Sequence, residues 1–272
     1  MPSATPGSSP PDIRLLALDM DGSLLDEAKR IPEGFWPVLD ELVRRGVTVA
    51  PASGRQYATL RAQLGRDDLV YVAENGAYVV RDGVELASTT LSRASADAVV
   101  RTVRTARDLD LGVVLCGKRS AYVERIDEPF LAQARPYYAL LEQVPDLLAV
   151  DDEVLKVAVY DFGSAEDGAG PLLAPFDPAD RVVVSGRHWV DVMARAVDKG
   201  AALRVVQDVL GVTPEQTMAF GDYLNDLGML AVADWSYAMA NGHPDVLAAA
   251  RFVAPGNDED GVVRTLRSVL GL

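Results

Sequence analysis

Short apolar runs alternate with amphipathic stretches at both ends of this chain, and this alternation restricts its fold more than any other feature. The first runs are Ile13–Leu18, Val47–Ala50 and Leu69–Ala73, with apolar residues at helical spacing between them. The alternation returns between Gly200 and Leu270. A repeated strand–helix–strand order predicts a parallel sheet with right-handed crossovers, so we expect the α/β class.

The middle of the chain, residues 77–197, has a different pattern. Paired strand-like runs replace the alternation, and the first pair flanks the hairpin signal Asp82–Gly83. Two helical stretches, near Ala94–Leu109 and Glu128–Leu141, interrupt the later runs. Strands and helices that do not alternate regularly are typical of an α+β module.

This change of pattern predicts how the chain divides into domains. We expect a discontinuous core domain made of residues 12–76 and 198–272, with an inserted α+β domain of residues 77–197. Residues 1–11 are rich in Pro, Ser, Ala and Thr, and we expect them to form a disordered tail.

The composition excludes several classes of partner. A net charge of −14 argues against nucleic acid or an anionic membrane surface as the main partner. The sequence shows neither a signal peptide nor an apolar run of about 18 residues, so we expect no membrane span. The single cysteine, Cys116, allows no internal disulfide, and we expect a cytoplasmic protein. Nothing in the sequence indicates an oligomeric state.

Four groups of polar residues stand where a predicted strand ends or a predicted helix begins. In chain order they are Asp19 with Asp21, Ser53, Lys199, and Asp222 with Asn225 and Asp226. Ligands bind in the crevice at the carboxyl ends of the strands of open α/β sheets. We therefore expect the fold to gather these residues, although most of the chain separates the first from the last.

Such a set has an identifiable chemistry. Several carboxylates in one crevice repel each other, and oxygen-only ligands suit Mg²⁺ together with a substrate phosphate. Backbone N–H groups at the Ser53–Gly54 turn could bind phosphate oxygens. One carboxylate could attack phosphorus as a nucleophile, and a second, protonated at that step, could protonate the leaving alkoxide and later deprotonate water.

Five segments of the chain form an ordered set of motifs: Asp19–Leu25, Ala52–Arg55, Glu74–Ala77, Lys199–Gly200 and Gly221–Asp226. In their order and spacing they resemble the motifs of the haloacid dehalogenase superfamily and most closely its Cof-type sugar-phosphatase branch. The tail Asn257–Val262 resembles that branch as well. The resemblance implies a Rossmann-like parallel-sheet core in which the insert acts as a cap that selects the substrate.

The resemblance implies four catalytic residues. Asp19 would be the nucleophile and a Mg²⁺ ligand. Asp21 would be the general acid and base, and would bind the metal through its backbone carbonyl. Ser53 would bind the transferring phosphoryl group. Lys199 would hold both that group and the Asp19 carboxylate.

The remaining implied residues bind metal or phosphate. Asp222 would be a side-chain metal ligand, and Asp226 would orient metal-bound water. Asn225 would bind phosphate or substrate, and Gly54 would join Ser53 in binding phosphate. Arg55 has two alternatives, a place at the edge of the site or a structural salt bridge.

The implied activity is Mg²⁺-dependent hydrolysis of small phosphate monoesters through an aspartyl-phosphate, with sugar phosphates as one substrate class and a small phosphorylated metabolite as the partner. Two alternatives stay open at the level of sequence. The first is a phosphotransferase or phosphomutase on the same scaffold. The second is a non-catalytic module that binds a phosphorylated metabolite. Taken singly, Asp19 and Asp21 could also be turn formers at a strand end.

Overall fold

A computed structural model describes residues 10–272, and within them the chain forms two compact units. The first unit contains the described residues up to Ser53 together with Arg66–Leu86 and Asp198–Leu272. The second contains Gly54–Gly65 and Ala87–Val197. Almost all of the predicted tail lies outside the described residues.

The described residues contain fourteen strands and nine α-helices, joined by turns and short 3-10 helices. The strands are β1 Leu15–Asp19, β2 Thr48–Ala52, β3 Val70–Ala73, β4 Tyr78–Arg81, β5 Val84–Ser88, β6 Leu111–Gly117, β7 Ala121–Val123, β8 Leu141–Gln143, β9 Val154–Asp161, β10 Asp180–Val184, β11 Trp189–Ala194, β12 Thr217–Gly221, β13 Trp235–Met239 and β14 Phe252–Ala254. The helices are α1 Phe35–Arg44, α2 Tyr57–Leu64, α3 Arg93–Thr105, α4 Glu128–Ala134, α5 Ala169–Leu173, α6 Lys199–Leu210, α7 Leu227–Ala231, α8 Pro244–Ala249 and α9 Gly261–Leu270.

An eight-stranded sheet, in the order β14-β13-β12-β1-β2-β3-β4-β5, is the centre of the first unit. Every pair from β14 to β3 is parallel, so the predicted parallel core is confirmed. All five residues of β1 are buried, as expected for a strand covered on both faces. The chain leaves β1 toward β2 on one side and returns as β12 on the other, and ligands bind open α/β sheets at such a reversal of strand order.

The helices of the first unit show why the alternation predicts this fold. In α1, Phe35, Val38, Leu39 and Leu42 are buried at the spacing of one helical face. Gly46 follows α1 with a φ of +79°, a conformation that glycine adopts without strain. The chain can therefore turn directly into β2.

The second unit has its own six-stranded sheet, in the order β10-β11-β9-β6-β7-β8. Neighbouring strands are antiparallel except for β7 and β8. All eight residues of β9 are buried at the centre. Separate apolar clusters contain Val157 and Val159 in one case and Ala158 and Tyr160 in the other, because alternate residues of a strand point to opposite faces.

The segment Gly54–Gly65, which includes α2, is joined by side chains to the rest of the second unit. Gln56 donates to the Leu140 carbonyl and accepts from the Leu140 amide, both at 3.0 Å. The Thr59 hydroxyl donates to the Tyr137 carbonyl at 2.8 Å and accepts from the Ala139 amide at 2.9 Å. These contacts tie α2 to the loop that follows α4.

Two elements differ from the sequence pattern. The hairpin of residues 77–87, which the pattern assigns to the insert, extends the first sheet, since β4 pairs with β3. Three successive residues with positive φ, Glu74 to Gly76, reverse the chain so tightly that the next strand must be antiparallel. The predicted helix Glu128–Leu141 ends at Ala134, because Pro136 has no N–H to donate.

Among residues 10–272, no helix combines the length and the apolarity that crossing a membrane requires. The cytoplasmic location stays a prediction from the sequence.

Candidate active site

Three carboxylates meet at the carboxyl ends of two central strands. Asp19 is the last residue of β1, Asp222 directly follows β12, and Asp226 lies one short turn further on. One oxygen from each lies within 4.8 Å of the others, and Asp19 and Asp226 are buried. The parallel register of β1 and β12 brings these residues together from distant parts of the chain.

Lys199 supplies the positive charge of this cluster. Its ammonium donates to Asp19 Oδ1 at 2.6 Å and to Asp226 Oδ1 at 2.7 Å, and the residue is 1% exposed. Lys199 is the first residue of α6, and the Asp198 carboxylate caps that helix by accepting from the Gly200 and Ala201 amides. The capped first turn therefore fixes where the lysine side chain begins.

Burial and crowding alter the proton affinities of these groups. Burial, and then the charge of Asp226, raises the pKa of Asp19 well above its ordinary value, against the opposing effect of Lys199. Burial and Asp226 also raise the pKa of Asp222, to about 6. Burial alone would lower the pKa of Lys199, but Asp19 and Asp226 raise it, so the ammonium stays charged.

The loop after β1 is fitted closely to Asp222. Gly22 has a φ of +86°, and a Cβ at that position would lie 2.3 Å from Asp222 Oδ2. The Ser23 hydroxyl donates to Asp222 Oδ1 at 3.3 Å. Glycine is required here by both conformation and space, which explains the glycine after the second aspartate of the motif.

Asp21 lies beside this cluster rather than within it. Its Oδ1 forms an ion pair with Lys29 Nζ at 2.9 Å, and its side chain is 34% exposed. A half-exposed carboxyl next to buried ones can exchange protons with a ligand or with water. This placement suits a proton-transfer role better than a side-chain metal ligand.

Ser53 and Asn225 lie near the ends of β2 and β12. Ser53 is buried, and its amide donates to the Val72 carbonyl at 2.9 Å while its carbonyl accepts from the Asn75 amide at 2.9 Å. Asn225 Nδ2 donates to Asn75 Oδ1 at 3.2 Å. Asn75, which belongs to the motif segment Glu74–Ala77, therefore links both residues.

Gly54 and Arg55 belong to the second unit. The Gly54 carbonyl accepts from Lys156 Nζ at 2.9 Å. The Arg55 guanidinium lies 5.9 Å from the centre of the Tyr137 ring, within the range of a cation–π contact. The structure describes these two residues within the second unit, so their part in phosphate binding stays a prediction.

Three further residues, which lie outside the five motif segments, hold the loops of the first unit. Asn241 Nδ2 donates to the Gly22 carbonyl at 2.8 Å, and the His243 amide donates to the Asp222 carbonyl at 2.8 Å. Asn257 Nδ2 donates to the Leu25 carbonyl at 2.9 Å. Asn257 begins the tail Asn257–Val262, and that motif is the one sequence signal for this group.

The carboxylate cluster has the properties of a site for a hard cation. Asp19 Oδ2 is buried, and no hydrogen-bond donor among residues 10–272 reaches it. Three carboxylates and one ammonium, all ionised, leave two net negative charges. A buried oxygen without a donor is costly unless a proton or a cation satisfies it, and an oxygen-only donor set suits Mg²⁺.

Comparison with known proteins places the chain in a family. A family model described as haloacid dehalogenase-like hydrolase matches residues 16–266. A 5-amino-6-(5-phospho-D-ribitylamino)uracil phosphatase, YbjI of Escherichia coli K12, is 30% identical over 95% of this chain and 96% of its own length. An HMP-PP phosphatase of Cronobacter sakazakii is 30% identical over 86% of this chain and 87% of its own.

Solved structures agree with this placement. The crystal structure of a protein from Streptococcus mutans UA159 matches with a TM-score of 0.84 at 26% identity, and the match covers 96% of this chain and 100% of that one. The chain belongs to the haloacid dehalogenase-like hydrolases. The resemblance inferred from the motifs is therefore confirmed.

Proposed function

We propose that this hydrolase is a Mg²⁺-dependent phosphatase that hydrolyses small-molecule phosphate monoesters through an aspartyl-phosphate on Asp19. The observation that carries the proposal is the buried contact of Lys199 with Asp19 and Asp226, beside Asp222. A nucleophilic carboxylate next to a fixed ammonium is suited to a reaction in which negative charge moves onto phosphoryl oxygens.

The donor set of the first unit fits the metal. Asp19, Asp222 and the backbone carbonyl of Asp21 would hold Mg²⁺, and Asp226 would support the metal-bound water. When bound, the ion would neutralise carboxylate charge and polarise the phosphoryl group. The buried Asp19 Oδ2 and the raised pKa of Asp222 both agree with a cation held here.

The first half of the reaction is phosphoryl transfer to the protein. An oxygen of the Asp19 carboxylate donates an electron pair to phosphorus, and the bond between phosphorus and the ester oxygen breaks. Asp21 gives its proton to the departing alkoxide, which leaves as an alcohol. Lys199 stays protonated and stabilises the negative charge on both the carboxylate and the phosphoryl group.

The second half restores the enzyme. Asp21, now a carboxylate, takes a proton from water while the water oxygen attacks the phosphorus of the aspartyl-phosphate. The bond between phosphorus and the Asp19 oxygen breaks, and inorganic phosphate leaves. Ser53, Asn225 and the N–H groups of Gly54 and Arg55 bind the phosphoryl oxygens through both halves in this proposal.

The substrate we propose is a small phosphorylated metabolite. One relative at 30% identity is named as a phosphatase of 5-amino-6-(5-phospho-D-ribitylamino)uracil, a uracil derivative whose sugar-derived chain carries the phosphate. We therefore place heterocyclic phosphate esters beside sugar phosphates in the first set of substrates to test.

The test is phosphate release from a panel of phosphate esters, with Mg²⁺ and with chelator, by the wild type and Asp19→Asn. We expect release that requires Mg²⁺ and is lost in Asp19→Asn. Asp208→Asn, on the exposed side of α6, is the matched control and should keep full activity. Full Mg²⁺-dependent turnover by Asp19→Asn would overturn the mechanism.

Isotope-labelled water separates hydrolysis from phosphoryl transfer to another acceptor. Hydrolysis places one solvent oxygen in each free phosphate, since water attacks the phosphorus of the aspartyl-phosphate in the second half. If the ester is consumed and an unlabelled phosphoryl group is found on a new organic acceptor, the protein is a phosphotransferase instead.

A further inference from the structure

Lys156 is a buried charge that the proposed reaction does not use. It lies in β9, the central strand of the second unit, and is 3% exposed. The side chains next to it on the same face of that strand are those of Ala158 and Tyr160, which are buried in an apolar cluster. An ammonium in such surroundings is costly unless its N–H groups and charge are compensated, so its contacts indicate its role.

Two of the contacts that Lys156 makes help to compensate its charge. Its Nζ lies 3.5 Å from Asp191 Oδ2, and the Asp191 side chain is 6% exposed. The closer contact, at 2.9 Å, is the hydrogen bond to the Gly54 carbonyl. Hydrogen bonds from a charged donor are stronger than neutral ones, so this bond holds the carbonyl direction firmly.

The Gly54 carbonyl and the Arg55 N–H belong to the same planar peptide group. Fixing the carbonyl therefore fixes the direction of that N–H, because in a planar trans peptide the C=O and N–H bonds lie in one plane and point in opposite directions. A cation at the carbonyl also polarises the peptide, which makes the N–H a stronger donor. The same segment is further held where Gln56 bonds Leu140.

We infer that Lys156 is a positioning residue, which orients and polarises the Gly54–Arg55 peptide so that its N–H can bind the phosphoryl group. Asp191 holds the ammonium in place through their ion pair. This inference rests on the proposed function, which makes that peptide part of the phosphate site. Lys156 itself does not touch the substrate, so its influence should be the same for every ester.

The experiment removes the ion pair as a unit. Removing Lys156 alone would leave Asp191 buried and unpaired, whereas the double variant Lys156→Met/Asp191→Leu replaces both with apolar groups and should keep the fold. Lys156→Arg keeps a charged donor. Lys118→Met is the matched control, since Lys118 pairs with Glu153 in the same unit. Thermal unfolding shows which variants are folded.

The kinetic readout uses p-nitrophenyl phosphate, a hexose phosphate and a nucleoside monophosphate. We expect the double variant to lose about 10- to 100-fold in kcat for all three, as supporting residues of an active site typically do. KM should change less than kcat, because the N–H acts most strongly on the transition state. The single variant Lys156→Arg should retain most of the activity, and Lys118→Met should match the wild type.

Two kinetic outcomes would overturn the inference. Losses that differ widely among the three esters would mean that Lys156 contacts the leaving group directly. A folded double variant with wild-type kcat would mean that the pair is purely structural.

Titration with inorganic phosphate separates this inference from the proposed function. If the wild type hydrolyses no ester, the proposed function fails, but weaker phosphate binding by the double variant would still support the role of Lys156. Equal phosphate affinity in the wild type and the double variant, or no phosphate binding by either, would overturn it.

Discussion

The electrostatics of the site depend on one residue, Lys199. Its ammonium contacts both Asp19 and Asp226. Pairing stabilises a buried carboxylate, but one cation cannot balance three. The excess negative charge is relieved either by protons, which the raised pKa of Asp19 and Asp222 reflects, or by a divalent cation. Protons and Mg²⁺ should therefore compete at this site.

This competition predicts how stability depends on pH in the absence of metal. The pKa of Asp222 is raised from 3.8 to about 6 in the folded protein. The folded state then holds the proton more tightly than the unfolded state, so the stabilisation is present at low pH and lost as pH rises through about 6. In chelator, we expect the free energy of unfolding of the wild type, relative to Asp222→Asn, to fall between about pH 4 and pH 6.

Urea unfolding of both proteins across this range measures that difference, and groups common to both largely cancel. Adding Mg²⁺ at neutral pH should stabilise the wild type and have less effect on Asp222→Asn. Parallel pH profiles for the two proteins in chelator would show that Asp222 does not carry the excess charge.

At this scale the sequence identifies the charged groups but not the residues that orient them. Asp19, Asp222 and Lys199 stand at predicted element ends, so their meeting follows from the strand order. Asn241 and Lys156 act through backbone carbonyls of other loops. A hydrogen bond to a carbonyl places no requirement on the type of the accepting residue, so no motif marks it.

At the scale of elements, the loop that follows β1 must pass close to the Asp222 side chain. Gly22 allows this because it has both a positive φ and no Cβ. Gly46, after α1, also has a positive φ, but no atom lies within 4 Å of where its Cβ would be. Substituting alanine at each of the two glycines therefore distinguishes the effect of backbone strain, common to both, from that of steric contact with Asp222, which arises only at Gly22.

We expect Gly22→Ala to weaken Mg²⁺ binding by at least about 10-fold, since Asp222 must move away from a methyl group. It should also lose about 1–3 kcal/mol of stability from backbone strain and displacement. Gly46→Ala should lose about 1–2 kcal/mol and keep its affinity for Mg²⁺. Calorimetric Mg²⁺ titration with thermal unfolding tests both, and equal Mg²⁺ affinities would contradict the steric argument.

Elements were predictable where one local rule decided them. The alternating pattern predicts the parallel sheet because buried parallel strands are continuous apolar runs. It does not show that the hairpin after β3 joins this sheet, since that depends on the turn at Asn75. It also overextends α4, because an amphipathic pattern continues past Pro136 while the helix cannot.

At the scale of the whole molecule, the chain returns repeatedly to the side of the first sheet where the parallel strands have their carboxyl ends. The loops that hold this side follow β1, β12, β13 and β14, and Asn257 near the end of the chain bonds the carbonyl of Leu25 near its beginning. Order along the chain predicts that the strands are neighbours. The loop contacts depend on how far each strand extends, and the sequence pattern does not set those lengths to within a residue.

The net charge of −14 predicts how salt affects an anionic substrate. A phosphate ester approaching this surface is repelled over distances longer than the contacts with Lys199. Salt shortens the screening length from about 10 Å at 0.1 M to about 3 Å at 1 M, so it weakens that repulsion more than it weakens buried contacts. At saturating Mg²⁺, we expect kcat/KM to rise roughly twofold to tenfold with added salt, mainly through KM. Initial rates in two different salts measure this. A fall in kcat/KM with both salts would show that the positive charge of the site attracts the substrate at long range and outweighs the repulsion by the net charge.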